Sequence, residues 1–402
     1  MEVDGGGGGG VPSLPEDIIF AVLSWLPAKP LCRFRCVCKA WRALISSAAF
    51  TAAQRSRAAP LLVGAFAAAP PPHAPEGPFC PPVFDVPMAP DDELRVMDAD
   101  GTVLRVLSGA LRCYDRLLPT RLDLVCVDRW SGGGAGAASV FDPATRRVVT
   151  VGRQAHGGGG GTHRFGRAAP SGAYKIIRLH DEFVAQEIVR DQRCEIATLP
   201  GEDGGAEPEP AVTWRRRPES PFVTCWCASC TVTVHGVVYF LPRGACGYLH
   251  SNRVASFDLE SEEWKKMIHG PELRHPKSWE RWSNALGEIK GALCWVETVL
   301  SCQYGSYTIA DVWVLVDSER SIWVKEYTIR SPDSLFIVKP LEVLRHGRLL
   351  LLKTIEEAEG EPHTRILQLY DPSTGDFTDL KMMPKEFRGM VTLYTGNILS
   401  QL

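Results

Sequence analysis

The sequence predicts a small all-α unit of three helices followed by an all-β, propeller-like domain of about six blades. Three observations point there. Apolar residues recur at helical spacing up to about residue 55. Beyond residue 90 the pattern changes to short strands divided by turn residues. Those strands repeat, with successive copies of one aspartate turn about 54–59 residues apart, within reach of a propeller period.

The helical part opens with Ser13 and Glu16, which read as a capping box, with Pro15 in the first turn. Ile18, Ile19, Val22, Leu23 and Leu26 follow as a wide apolar stripe, and Pro27 ends the helix. Pro30 is expected to open a second helix with Leu31, Phe34 and Val37 on its apolar side. Cys38 to Ser46 gives a third, carrying Trp41, Leu44 and Ile45. Three short helices make a thin core, and below about 40 residues a chain needs outside help to fold stably. The first stripe is also wider than one small neighbour covers, so a partner is expected to cover the rest.

The strand repeats have two parts. A basic residue or His, then Gly, then an apolar strand occurs at His235-Gly236-Val237, Lys290-Gly291-Ala292 and His346-Gly347-Arg348. Glycine there permits a tight turn into the strand. The second part is a strand ending in Asp, a short turn, and an apolar residue six positions on. It pairs Asp258 with Trp264, Asp317 with Trp323, Asp371 with Phe377 and, more weakly, Asp142 with Val148. Asp accepts backbone amide hydrogen bonds two residues on, which sets a hairpin turn. Each unit alone is a small sheet with open edges, and a radial arrangement protects those edges. Units are expected near 61–112, 122–152, 173–216, 234–266, 289–329 and 341–381. Met390 to Leu399 is expected to close the ring on the first unit. Five or seven blades also fit the spacing.

Composition agrees with a globular chain: 402 residues, 45% hydrophobic and 23% charged, enough for one large and one small domain. A net charge of −3 gives no electrostatic case for nucleic acid or an anionic membrane as partner. The start, Met1-Glu2-Val3-Asp4 then Gly5 to Gly10, lacks the basic and apolar regions of a secretory signal. No apolar run reaches the ~20 residues of a membrane span. A cytoplasmic or nuclear setting follows, with the 13 cysteines reduced. Residues 1–12, 67–90, 200–211 and Gly157 to Gly161 read as unstructured.

Leu14-Pro15-Glu16-Asp17-Ile18-Ile19, Val22-Leu23, Leu26-Pro27, Leu31, Arg33 to Lys39, Trp41 and Phe50 together resemble the F-box motif, dense and in order. Two departures are Pro30 and Cys38, where Ser is common. A cysteine caps a helix poorly, at a cost of about 1 kcal/mol. The remainder resembles the F-box-associated domain of the large plant F-box families. The likeness rests on Phe141-Asp142-Pro143-Ala144-Thr145-Arg146, Tyr174 to Arg178, Cys194 to Leu199 with Trp214-Arg215, and Phe257-Asp258-Leu259 through Trp264. The resemblance implies a layout of 1–12 as a Gly-rich tail, 13–55 as F-box, 56–92 as a Pro/Ala-rich linker with a first strand, and 93–402 as the β domain. It also implies a non-catalytic substrate-recognition subunit of an SCF ubiquitin ligase. Such a protein docks on a Skp-family adaptor, reaches cullin and RING subunits through it, and holds an unknown target. By motif match, Leu14, Pro15, Ile18, Leu23, Leu26, Pro27, Leu31, Val37 and Trp41 form or support the adaptor interface.

Other signals are weaker. Cys225, Cys227 and Cys230 include a Cys-x-x-Cys pair that can bind zinc, but no second pair stands at zinc-finger spacing, so they read as small buried hydrophobes. Cys32, Cys36 and Cys38 read as core packing. Gly157 to Gly161 lacks the Gly-Lys-Ser/Thr of a phosphate loop. Arg215-Arg216-Arg217 reads as a solvated loop. No catalytic constellation, cofactor site or metal site is expected. The competing reading is a propeller that works outside a ligase, as a carbohydrate binder or an enzyme.

Overall fold

The fold comes from a computed structural model, which describes residues 14–396 except 27, 48, 51–52, 54–60, 68–91, 113–114, 132–133, 153–160, 185–186, 201–211, 248–250, 275–279, 302–306, 332–335, 345 and 356–362. The expected unstructured segments lie wholly or mostly outside the described residues. The chain divides into two compact units, the second spanning residues 60–395. The β unit therefore starts near residue 60 and not at 93.

In the helical unit, α1 spans Glu16–Leu23, α2 Ala28–Phe34 and α3 Lys39–Ser46. The first N-cap is Pro15, with no side-chain cap bond, and not Ser13, which lies outside the described residues. The Pro15 carbonyl instead accepts the amides of Ile18 and Ile19, each at 3.1 Å. α1 ends at Leu23, ahead of Pro27. Ser24 closes it, its hydroxyl donating to the Ala21 carbonyl at 2.8 Å. α2 starts two residues before Pro30, so that proline occupies the first turn, where a missing N–H costs nothing. Cys38 caps α3, and its Sγ accepts the Trp41 amide at 3.4 Å. Leu23, Leu31, Ile45 and Phe50 form the buried centre. Phe20 meets Phe50, and Phe34 meets Trp41, edge to face at 5.3 and 5.6 Å. Cys36 and Cys38 are exposed, contrary to a core role, because both sit in the turn and cap between α2 and α3.

The β unit is a six-bladed propeller. Its blades run from the inner strand outward. The second is Arg116–Leu117, Val125–Ser131, Gly134–Phe141 and Val148–Gly152. The third is Gly161–Arg167, Tyr174–Val184, Glu187–Thr198 and Arg215–Arg217. Thr231–Val234, Val237–Phe240, Arg253–Asp258 and Glu263–Trp264 make the fourth. The fifth holds Glu280–Ile289, Ala292–Ser301, Tyr307–Asp317 and Ile322–Ser331, and the sixth Phe336–Val343, Leu349–Ile355, Thr364–Tyr370 and Phe377–Met382. The first blade is composite. Phe387–Tyr394, from the far end of the chain, lies inside Leu61–Phe66, Asp92–Met97 and Val103–Leu111. Leu62 pairs with Leu393 and Phe66 with Phe387, whose rings lie 5.2 Å apart. This closes the ring, a few residues earlier than Met390 to Leu399.

The expected units each lacked part or all of an inner strand. Gly161–Arg167 shows why. Thr162-His163-Arg164 follows the Gly157 to Gly161 run with no apolar residue to mark a strand, yet all three are buried. His163 Nδ1 reaches Asp128 at 2.8 Å, and the Arg164 guanidinium donates to backbone carbonyls. Second strands carry the strongest signal because neighbouring blades cover both of their faces. Leu349 and Leu351 pack toward the fifth blade, whereas Leu350 and Leu352 pack toward the first. Alternate side chains point to opposite faces, so a strand between two blades becomes a continuous apolar run.

The turns follow the repeat chemistry. Asp142, Asp258 and Asp371 accept the amide two residues on, at 2.8, 2.8 and 2.9 Å. Asp317 accepts the amide three residues on, at 3.0 Å. Four residues after each Asp stands a left-handed residue: Arg146, Glu262, Ser321 and Gly375, with φ of 63, 58, 56 and 80°. At His235-Gly236 and Lys290-Gly291 both residues have positive φ, as a type I′ hairpin turn requires.

Glu262, in one such turn, binds the third blade to the fourth. Its carboxylate pairs with Lys175 at 2.9 Å, Arg215 at 2.5 Å and Arg217. Arg215–Arg217 is thus an outer strand with anchored cations and not a solvated loop; only Arg216 turns out, toward Glu219.

Candidate functional site

On α1, Ile18 and Val22 stand one helical turn apart, and Leu14 and Trp25 flank them at helical spacing. All four are exposed, at 45, 57, 66 and 61%. Val37, in the turn between α2 and α3, is 60% exposed. Large apolar side chains gathered this way on a small unit mark an interaction surface. The cause is local. α1 has apolar residues around more than half its circumference, and the inner side is filled by Ile19, Phe20 and Leu23.

The nine residues expected at the docking site divide accordingly. Leu14, Pro15, Ile18 and Val37 are exposed. Leu23 and Leu31 are buried beneath them. Leu26 and Trp41 are half-buried against that core. Pro27 lies outside the described residues. Val22 and Trp25 belong with the exposed group but were not among the expected docking residues. The stripe itself held the signal for Val22. Trp25 lies two residues beyond the last residue of α1, three positions after Val22.

In the propeller, the inner strands surround a cavity of about 40 Å³ lined by Thr120, Arg121, Glu288, Lys339 and Thr392, among others. Arg121 pairs with Glu342 and lies 4.0 Å from Glu288. Burial raises the Glu288 carboxyl above its ordinary range and lowers Lys339 to about 8. The Lys339 ammonium donates to the Val391 carbonyl at 2.9 Å. That volume is room for a few waters.

The fold and surface define a class: a propeller in one chain with a small helical module that exposes large apolar side chains. Residues 11–52 match the F-box domain, and residues 124–359 match the F-box associated beta propeller domain. The chain belongs to the plant F-box proteins that carry this propeller domain. Two relatives from Arabidopsis thaliana are F-box protein At3g07870 and F-box protein At1g30790. The first is 24% identical, over 94% of this chain and 90% of its own. The second is also 24% identical, over 79% of this chain and 75% of its own. Among solved structures, an oligogalacturonate lyase in complex with manganese matches at a TM-score of 0.40 and 10% identity, covering 72% of this chain and 73% of its own. A fucose-specific lectin from Aleuria aurantia matches at 0.35 and 8%, covering 74% and 92%. Likenesses this distant carry no argument about what this chain binds.

Proposed function

We propose that this chain is the substrate-recognition subunit of an SCF-type E3 ubiquitin ligase. The F-box, over residues 13–55, docks on a Skp-family adaptor, which links the chain to cullin and RING subunits. The propeller holds a target protein. The chain itself is not catalytic, and it works in the cytoplasm or nucleus; among the described residues no helix is long and apolar enough to cross a membrane. The observation that carries the reading is the exposed apolar set Leu14, Ile18, Val22, Trp25 and Val37 within the F-box match. Pro15 fixes the backbone beside it, and Leu23, Leu31, Leu26 and Trp41 hold it from beneath. Such a set suits apolar anchors seated in partner pockets.

Co-purification with a Skp-family adaptor tests this. The intact chain is expected to retain the adaptor, and an Ile18→Asp, Val22→Asp double variant to lose it with propeller unfolding unchanged. Failure of the wild-type chain to bind any such adaptor overturns the reading. Glycan binding or turnover without an adaptor would favour a ligase-independent propeller instead.

A further inference from the structure

One end of the fourth blade gathers four thiols. Cys225 and Cys227 lie in the segment entering the blade, Cys230 immediately precedes the inner strand, and Cys246 follows the second strand. The four sulfurs all lie within 4.8 Å of one another. Cys225 and Cys246 are 3.7 Å apart, and Cys227 and Cys246 3.6 Å. A disulfide requires about 2.05 Å, so these sulfurs are not bonded. Four sulfurs at about 2.3 Å from a central tetrahedral zinc stand about 3.8 Å apart, which matches the two measured edges.

From this geometry we infer that Cys225, Cys227, Cys230 and Cys246 form a closed, structural tetrathiolate site for zinc. The spacing is Cys-x-Cys-x2-Cys followed by Cys246 sixteen residues on. Hairpin register brings the last ligand in. Thr231 pairs with Phe240, and the next residue, Leu241, donates its amide to the Cys230 carbonyl at 2.9 Å and accepts that of Cys225 at 2.9 Å. Cys227 and Cys230 are joined by one 3-10 turn, in which the Cys230 amide reaches the Cys227 carbonyl at 3.1 Å.

Buried amides hold both ligand-bearing segments from outside. Gln192, on the third blade, accepts the amide and hydroxyl of Thr224, next to Cys225, at 3.1 and 2.8 Å. Asn284, on the fifth, donates to the carbonyl of Ala245, next to Cys246, at 3.1 Å, and is itself fixed by the Trp295 indole at 3.0 Å. These bonds fix the backbone next to Cys225 and Cys246. Cys225, Cys230 and Cys246 are buried in an apolar cluster, which closes the site to further ligands. A zinc with four thiolates carries a net charge of −2. The buried Arg164 guanidinium, donating to the Cys225 carbonyl at 3.1 Å, supplies positive charge beside it. Cys126, Cys194 and Cys294 are also buried but outside this group, and among the described residues no other cluster of His, Cys, Asp or Glu gathers in this way.

Zinc suits the site because soft thiolates in tetrahedral array select it over hard cations. Its role would be to tie the entry segment to the loop after the second strand. This is independent of adaptor docking, so either reading can fail alone.

The test uses the full chain, expressed with added zinc and purified without chelator. Elemental analysis by mass spectrometry is expected to find about one zinc per chain. Cobalt exchange should give the intense visible bands of a tetrahedral tetrathiolate. Cys246→Ser should lose the metal, whereas Cys36→Ser with Cys38→Ser should keep it. A strong chelator should lower the melting temperature of the wild-type chain. Should Cys246→Ser not fold, the wild-type metal content and cobalt spectrum still decide. Folded wild-type chain with far less than one zinc and no cobalt bands overturns the inference. So does thiol titration showing these cysteines paired as disulfides, or metal that survives in a folded Cys246→Ser chain.

Discussion

In the helical unit the apolar residues of α1 split, with Leu23 covered while Ile18 and Val22 face outward. In the sixth blade four consecutive leucines, Leu349 to Leu352, are all covered. The propeller gives its second strands a neighbour on both faces, and most of its exposed apolar residues, such as Val148, Val324 and Met382, fall on outermost strands, with Val316 on a third strand. Three short helices cannot do the same. One unit completes its own burial by closing a ring, whereas the other leaves large apolar side chains exposed.

The largest expected effect breaks the closed side of that comparison. Phe387→Ala removes a ring packed on Phe66 at the closure and should cost about 3–5 kcal/mol of propeller stability. Denaturant unfolding with a propeller-specific probe checks it. A wild-type midpoint would mean the closing strand contributes little.

The helical side is sharpened by a pair. Leu31→Ala should cost about 2–4 kcal/mol, enough to unfold so small a unit. Ile18→Ala, on the exposed face, should shift stability by less than about 0.5 kcal/mol while weakening adaptor binding. Equal destabilisation by both would show that Ile18 belongs to the core.

Between blades, Glu262→Gln should cost about 2 kcal/mol, because three cations lose their partner. Burial alone would raise this carboxyl, but Lys175, Arg215 and Arg217 hold it down at about 2. The stabilisation is therefore complete above the range of a free carboxyl, from about pH 5, and is lost as pH falls toward 2. Urea midpoints of wild type and variant across that window should converge at its acid end.

The smallest effect concerns the α3 cap. Cys38→Ser replaces a weak sulfur acceptor with a hydroxyl and should stabilise the helical unit by about 0.5 kcal/mol. A lower melting temperature would show that the thiol contributes more than capping.

Sequence alone determined the features that act over a few residues. Asp142, Asp258, Asp317 and Asp371 each set a turn through nearby amides, and His235-Gly236 sets a hairpin through its own φ angles. The helices and the F-box match likewise rest on spacing within one segment. Tertiary structure decided what depends on distant residues. It paired Leu62 with Leu393 to close the ring, buried Thr162-His163-Arg164 as an inner strand, and anchored Arg215 and Arg217 on Glu262. It chose which apolar side chains of α1 face outward. It also carried Cys246 beside Cys225, Cys227 and Cys230, which spacing along the chain could not do. Turn chemistry is written in adjacent residues, whereas register and burial depend on which strand lies opposite.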